Sequence, residues 1–180
     1  MQEDVMALNG IGMTEKESDL QKYQNRLETA MDYGDVWEIV KDTVSYSLGK
    51  RRGGMMLFLD DLPIQLGAYH PVGTNNIVLN RTLVQIVEAT IASKRVVNAL
   101  VYNLLLHEYL HAFGEYSEIE VRRLVYEIAE KCFGEKHAVT LIAKESPWVL
   151  LKGIPLENIN APKRVMEIVK SFEKAGKYIV

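Results

Sequence analysis

The sequence predicts an α+β fold that is mainly helical and contains a small mixed sheet. Apolar residues recur at helical spacing in several long segments. Two shorter apolar runs, residues 55–59 and 77–79, have the length and composition of strands. The chain has 180 residues, of which 48 % are hydrophobic and 25 % charged, and these values are typical of one globular domain. We therefore expect residues 1–180 to form a single domain.

Two helices are predicted near the N-terminus. Thr14 and Glu17 have the spacing of a capping box, which begins a helix. The apolar residues that follow at helical spacing are Leu20, Tyr23, Leu27 and Met31. Gly34 is expected to end this helix. Asp35 is then expected to cap a second helix that reaches about residue 47.

Two further helices are predicted in the middle of the chain. One runs from about residue 81 to 92, and Thr82 is a candidate cap for it. The next covers about residues 94–113 and is apolar nearly all round, which is typical of a helix in the centre of a fold. Gly114 is expected to end it.

The C-terminal part of the chain is expected to be helical as well. Ser117 is expected to cap a helix that ends near Phe133. Pro147 would break any helix over residues 141–151. A last helix is expected to start at Ala161 and Pro162. Its inward-facing residues would be Val165, Ile168, Val169 and Phe172.

Charge and cysteine content exclude several classes of protein. The net charge of −3 argues against a nucleic-acid partner. No apolar segment is long enough to cross a bilayer, so we expect no membrane partner. The single cysteine, Cys132, excludes an intrachain disulfide and a cysteine-rich metal site, and we expect it to be a core thiol. Because Met1 to Val5 also lack the apolar segment of a signal peptide, we expect a cytoplasmic location.

The sequence His107-Glu108-Tyr109-Leu110-His111 is an H-E-x-x-H motif on the predicted central helix. Residues four apart lie on one face of a helix, so His107 and His111 can bind the same metal ion. Glu108 follows the first histidine and can act as a general base without being a ligand. This arrangement predicts a catalytic zinc site rather than a pair of structural histidines.

The third metal ligand is less certain from the residues alone. After Gly114 the chain is expected to turn and the next helix to pack back, which brings Glu118 and Glu120 to the level of the histidines. The further candidates are Glu127, Glu130 and His137. We otherwise expect His70 and His137 to be surface loop residues. Tyr116 is expected to be half-buried.

The motif and its continuation through Phe113 and Gly114 resemble the zincin metallopeptidases, and most of all the small minimal zincins, in which an acidic residue follows the glycine. The resemblance covers about residues 107–120, and more loosely the strand–helix unit from Asn76, and implies a zincin-like active-site helix. It implies Zn²⁺ bound by His107 and His111, Glu108 as the catalytic base, and Glu118 as the first choice for third ligand. The metzincin pattern would place a third histidine where this chain has Ser117, and the thermolysin-like pattern points near Glu130.

These observations predict a zinc-dependent metallopeptidase that acts on a peptide or protein substrate. Zincins bind an extended peptide along an edge strand, and residues 76–80 or 55–59 are the candidates for that strand. An ordinary buried strand is the equal alternative for both segments. Arg122 and Arg123 are expected to lie on a solvated helix face; they could also pair with Glu118 or Glu127, or hold a substrate carboxylate. The alternatives are a non-catalytic zinc-binding regulatory or interaction module and a non-peptidase zinc amidase. The oligomeric state is not predicted.

Overall fold

A computed structural model describes residues 13–156 and 162–174 of the chain. Within these ranges six α-helices pack with a four-stranded sheet, so the predicted α+β, mainly helical fold is confirmed. Met1 to Val5 and Ala161, on which two of the sequence predictions fall, lie outside the described residues.

Along the described residues, two α-helices are followed by three strands, four α-helices, a 3-10 helix and a last strand. The α-helices are α1 (Glu15–Glu28), α2 (Tyr33–Leu48), α3 (Arg81–Ile91), α4 (Lys94–Ala112), α5 (Glu118–Phe133) and α6 (Ala138–Glu145). A 3-10 helix spans Pro147–Leu151, where the proline was expected to interrupt an α-helix. The strands are β1 (Met56–Asp60), β2 (Ala68–Tyr69), β3 (Asn76–Asn80) and β4 (Glu167–Ile168), and their order in the sheet is β2-β3-β1-β4.

Helix α1 begins with the predicted capping box, in which the side chains of Thr14 and Glu17 each accept from the other's main-chain N–H. The predicted boundary between α1 and α2 is wrong by several residues. Asp32, not Asp35, caps α2, and its Oδ1 accepts a hydrogen bond from the Asp35 N–H at 2.8 Å. Gly34 therefore lies in the first turn of α2, and Met31 is 78 % exposed rather than inward-facing.

Helix α4 is the centre of the fold, as its apolar sequence predicted. Among the described elements it packs against every other α-helix and against β2 and β3. Every residue from Val97 to Ala112 is buried except His107 and His111. The two histidines of the motif are thus the places where this buried stretch of α4 reaches the surface.

Helix α3 begins at the end of β3, and Asn80 rather than Thr82 caps it. The Asn80 Oδ1 accepts from the Leu83 N–H at 3.3 Å. The Asn80 Nδ2 donates to the carbonyl oxygens of Leu62, Pro63 and Leu66 at 2.8 to 3.2 Å. This one buried amide therefore holds both α3 and the loop that leads into β2.

The strands predicted to bind an extended peptide are both internal to the sheet. β1 and β3 pair in parallel, from Met56 opposite Asn76 to Asp60 opposite Asn80. The outer side of β3 is paired with β2, and that of β1 with β4. Of the two interpretations of residues 76–80 and 55–59, the peptide-binding edge is therefore wrong and the ordinary buried strand is confirmed. Two short strands that have no clear sequence pattern form the edges instead.

The predicted last helix is wrong over the described residues 162–174, where Glu167 and Ile168 form β4 and the remaining residues are irregular or in turns. The Val169 N–H donates to the Leu57 carbonyl at 2.9 Å, beside the β1–β4 pairing. Val165 is 88 % exposed, whereas Phe172 is buried and stacks on Trp37 at a ring distance of 4.7 Å. Main-chain N–H and C=O groups of this segment form hydrogen bonds with β1 instead of within a helix. The helical spacing of the apolar residues therefore does not decide the structure.

The two expectations drawn from composition can be compared with the described residues. Cys132 is a buried free thiol, as predicted. No helix in the described part of the chain combines the length and the apolar character needed to cross a membrane.

Candidate metal centre

The H-E-x-x-H motif lies in the last turns of α4. His107 and His111 are four residues apart, so their rings lie one above the other, with centroids 4.9 Å apart. Their Nε2 atoms are 3.1 Å apart. The two side chains are 23 % and 14 % exposed, and both line the same cavity. The motif therefore presents two imidazole nitrogens at one point on the surface.

A tight turn after α4 returns the chain to this point. Gly114 has a φ of +92°, in the left-handed region that favours glycine. The Ser117 N–H donates to the side chain of Glu115 at 3.0 Å. The Ser117 hydroxyl in turn caps α5 by accepting from the Glu120 N–H. Glu118 is consequently the first residue of α5.

The turn brings the Glu118 carboxylate against both histidines. One of its oxygens lies 3.2 Å from the His107 Nε2, and the other lies 3.0 Å from the His111 Nε2. Across residues 13–156 and 162–174 these three side chains form the one group of histidine, cysteine or acidic residues placed so that it could hold a metal ion. Glu118 is thus the member of the predicted third-ligand candidates that meets the histidine pair.

The protonation of His111 can be inferred from its second nitrogen. Its Nδ1 lies 2.7 Å from the carbonyl oxygen of Glu115, which can only accept a hydrogen bond. The Nδ1 therefore carries a proton, and in the neutral ring the Nε2 directs a lone pair at His107 and Glu118.

This donor set fits a metal ion. Lone pairs of two imidazoles and a carboxylate that face one another at 3.0 to 3.2 Å repel unless a cation or a proton lies between them. Ligand atoms bound tetrahedrally to zinc at about 2.0–2.2 Å are about 3.3–3.5 Å apart, so a small expansion of this group would accommodate the ion. Histidines that bind a metal ion commonly donate a hydrogen bond from their other ring nitrogen to a carbonyl oxygen, as the His111 Nδ1 does to Glu115.

Glu108 is the buried carboxyl of the motif. It is 6 % exposed and lies in the wall of the same cavity as the histidines. Burial raises the pKa of Glu108 to about 7, and the charge of Glu118 acts in the same direction, while His111 and a main-chain hydrogen bond from His70 oppose the rise. A carboxyl with a pKa near neutrality can both accept and release a proton.

His107 is affected by the same burial, which lowers its pKa. The Glu118 carboxylate acts in the opposite direction, and the charges of His111 and Arg122 lower the pKa further. An imidazole that stays neutral keeps its nitrogen lone pair free to bind a metal ion.

The cavity in front of the motif has a volume of about 1180 Å³. Its walls come from α4, from the edge strand β2, from α5 and from the end of α6 with the 3-10 helix. Tyr116, which was expected to be half-buried, lies at the rim of the cavity and is 62 % exposed. Trp148 of the 3-10 helix also lines the cavity, although it lies far from the motif in sequence. The site is open to a molecule much larger than water.

The other acidic candidates for a third ligand have different partners. Glu120 and Glu127 both bind the guanidinium of Arg123. Glu130 accepts a hydrogen bond from the Tyr126 hydroxyl at 3.1 Å. None of these carboxylates belongs to the group formed with the histidines.

His137, the remaining candidate, is not at the site, and the expectation that it is a surface residue is wrong. Its side chain is buried, caps α6 by accepting from the Val139 N–H at 3.2 Å, and stacks on Phe133. Its position just before a short apolar helix is the signal that could have identified a cap. His70, the fourth histidine, lies at the end of β2, where its Nδ1 is 2.8 Å from the Asn76 carbonyl oxygen.

Sequence reasoning missed the contributions of β2 and α6 to the cavity. Tyr69 and Lys144 line it together with the motif, although they lie about 40 residues before and after it. No local sequence pattern marks either residue, because only the packing of β2 and α6 against α4 brings them there.

No protein-family model, curated protein or solved structure matches this chain. The likeness to zincins therefore rests on the motif region of residues 107–120 and, more loosely, on the strand–helix unit from Asn76, and membership of that group is a prediction.

Proposed function

We propose that this protein is a zinc-dependent metallopeptidase. The observation that carries the proposal is the convergence of His107, His111 and Glu118 at a wide cavity, with the buried Glu108 next to them. Two histidines and one glutamate are a ligand set of catalytic zinc sites, which leave one position open to water and substrate. A structural zinc site would instead be closed by four protein ligands.

His107, His111 and Glu118 would hold the zinc ion. When bound, zinc polarises a carbonyl group and lowers the pKa of water toward about 7. Glu108 accepts the proton of the attacking water and then delivers it to the leaving amine. The same group must gain and lose one proton in each turnover, and the buried position of Glu108 in the cavity wall beside the histidines suits it to both transfers.

The cavity supports a peptide as the substrate. β2 is an edge strand in its wall, since its one pairing among the described strands is with β3. An extended peptide can hydrogen-bond to such an edge beside the metal site. The single buried cysteine is compatible with a reducing compartment, so we propose that the enzyme acts in the cytoplasm.

Metal content and hydrolysis measured on the same preparations test this function. Glu118→Ala is expected to lose zinc, because it removes one of three ligands. Glu120→Ala is the matched control, since it removes a carboxylate two residues away that is bound to Arg123. Glu108→Gln is expected to keep zinc and to lose hydrolysis of a peptide library by about 10²- to 10⁴-fold.

Three results would contradict the proposal. Full zinc content in Glu118→Ala would show that Glu118 is not a ligand. Wild-type protein that binds one zinc ion but cleaves no peptide would instead indicate a zinc-binding interaction module, and cleavage restricted to non-peptide amides would indicate an amidase.

A further inference from the structure

Arg122 lies one helical turn after Glu118 and lines the cavity of the metal centre. A glutamate and an arginine four residues apart on a helix ordinarily pair. Here the Glu118 carboxylate is turned to the two histidines instead. Arg122 makes no ion pair with any carboxylate of the described residues, and its side chain is exposed. Its guanidinium is therefore available to a ligand in the cavity.

Arg123, its neighbour, has the opposite environment. Its guanidinium pairs with Glu120, three residues before it in the chain, and with Glu127, four residues after it. Both arginines contribute to the cavity wall, but the charge of Arg123 is already compensated. The pair thus provides a functional candidate and a matched control on the same helix.

A second cation, Lys144, lines the same cavity from the last turn of α6. Like Arg122 it is exposed and forms no ion pair within the described parts of the chain. Besides the site residues Glu108 and Glu118, the remaining carboxylate of the lining is Glu145, which is bound to neither cation.

We propose that Arg122, assisted by Lys144, binds a carboxylate of the substrate, so that the enzyme prefers peptides that carry a negative charge near the scissile bond. The inference rests on the proposed peptidase function and specifies its substrate class. A guanidinium presents two parallel N–H donors that match a carboxylate, which gives geometric selectivity as well as attraction. The carboxylate belongs either to an acidic side chain or to the C-terminus of the peptide.

Matched peptides distinguish the two sources. One series moves a glutamate along a fixed peptide and replaces it by glutamine, and the other compares a free with an amidated C-terminus. Wild-type protein is expected to show a kcat/KM about tenfold or more higher for the charged member of one series. Arg122→Gln is expected to remove this preference, Lys144→Gln to reduce it, and Arg123→Gln to retain it.

Equal kcat/KM for charged and neutral members of both series would overturn the inference. Equal loss of the preference in Arg122→Gln and Arg123→Gln would also overturn it, because the effect would then be general electrostatics. Circular dichroism of each variant establishes that it is folded.

A binding measurement separates this inference from the proposed function. Fluorescence anisotropy of labelled peptides with the Glu108→Gln protein, with and without added Zn²⁺, reports affinity without turnover. Suppose that the wild-type protein cleaves no peptide, and that the charged peptide nevertheless binds about tenfold more tightly than the neutral one and needs Arg122 to do so. The peptidase proposal then fails and the carboxylate site stands. If peptides are cleaved but affinity is independent of charge and of Arg122, the peptidase proposal stands and the carboxylate site fails.

Discussion

Acidification is expected to destabilise this protein through the buried His137. Its side chain is 2 % exposed, and its Nδ1 accepts the Val139 N–H, so the proton of the neutral ring is on Nε2. Burial lowers the pKa of His137 from 6.5 to about 4, and the charge of Arg95 adds to this, while Glu28 at 4.0 Å opposes it. The unfolded chain therefore binds a proton that the folded chain excludes between these two pH values.

The sign and size of the effect follow from this difference. The contribution of neutral His137 to the free energy of unfolding is fully present above pH 6.5. It is lost as the pH falls toward about 4 and does not change further below that pH. Since each pH unit corresponds to about 1.4 kcal/mol, the free energy of unfolding is expected to fall by about 3 kcal/mol through this residue.

Urea unfolding of the wild type and of His137→Asn from about pH 7.5 to about pH 4 measures the effect. Asparagine retains an acceptor for the α6 cap but does not titrate. The variant loses the ring that stacks on Phe133, which lowers its stability by an amount independent of pH. The stability difference between the two proteins is therefore expected to shrink as the pH falls, because other titrating groups contribute equally to both. A difference that stays constant over this range would refute the reasoning.

Two further predictions concern the C-terminal segment. Gly34→Ala is expected to lower the free energy of unfolding by about 1–3 kcal/mol in urea titration, since an added Cβ would lie 2.3 Å from the Ser171 carbonyl oxygen; an unchanged value would show that this segment does not pack on α2. Glu173→Gln is expected to lower it by about 1–2 kcal/mol, because the carboxylate binds the buried Lys41 ammonium at 2.8 Å and accepts from the Trp37 indole N–H at 3.0 Å, while Glu38 at 2.7 Å still pairs with Lys41 in the variant. Thermal unfolding of Glu173→Gln and of the wild type at one pH tests this prediction. Equal melting temperatures would show that Glu173 does not hold the C-terminal segment to α2.

The helices could be predicted well where local chemistry decides them. The capping box of Thr14 and Glu17 begins α1, and Ser117 begins α5, because a side-chain oxygen satisfies main-chain N–H groups within the same few residues. The apolar sequence of α4 predicted its central position, since a helix without a polar face must be covered on all sides.

The failures occur where a distant segment changes the outcome. Asp32 rather than Asp35 caps α2, and Gly34 is required there by Ser171, which is more than 130 residues away in the chain. The apolar residues near Phe172 have helical spacing, yet pairing with β1 and stacking on Trp37 hold this segment in a non-helical conformation.

The sequence by itself determined the motif of the candidate site. His107, Glu108 and His111 share one helix, so their relative positions follow from helical geometry, which depends on neighbours a few residues apart. Only the tertiary structure decided which glutamate meets them and what surrounds them. The turn at Gly114 selects Glu118, Arg123 engages Glu120 and Glu127, and the packing of β2 and α6 against α4 forms the cavity. These choices depend on contacts between segments far apart in the chain, for which the local pattern of residues carries no signal.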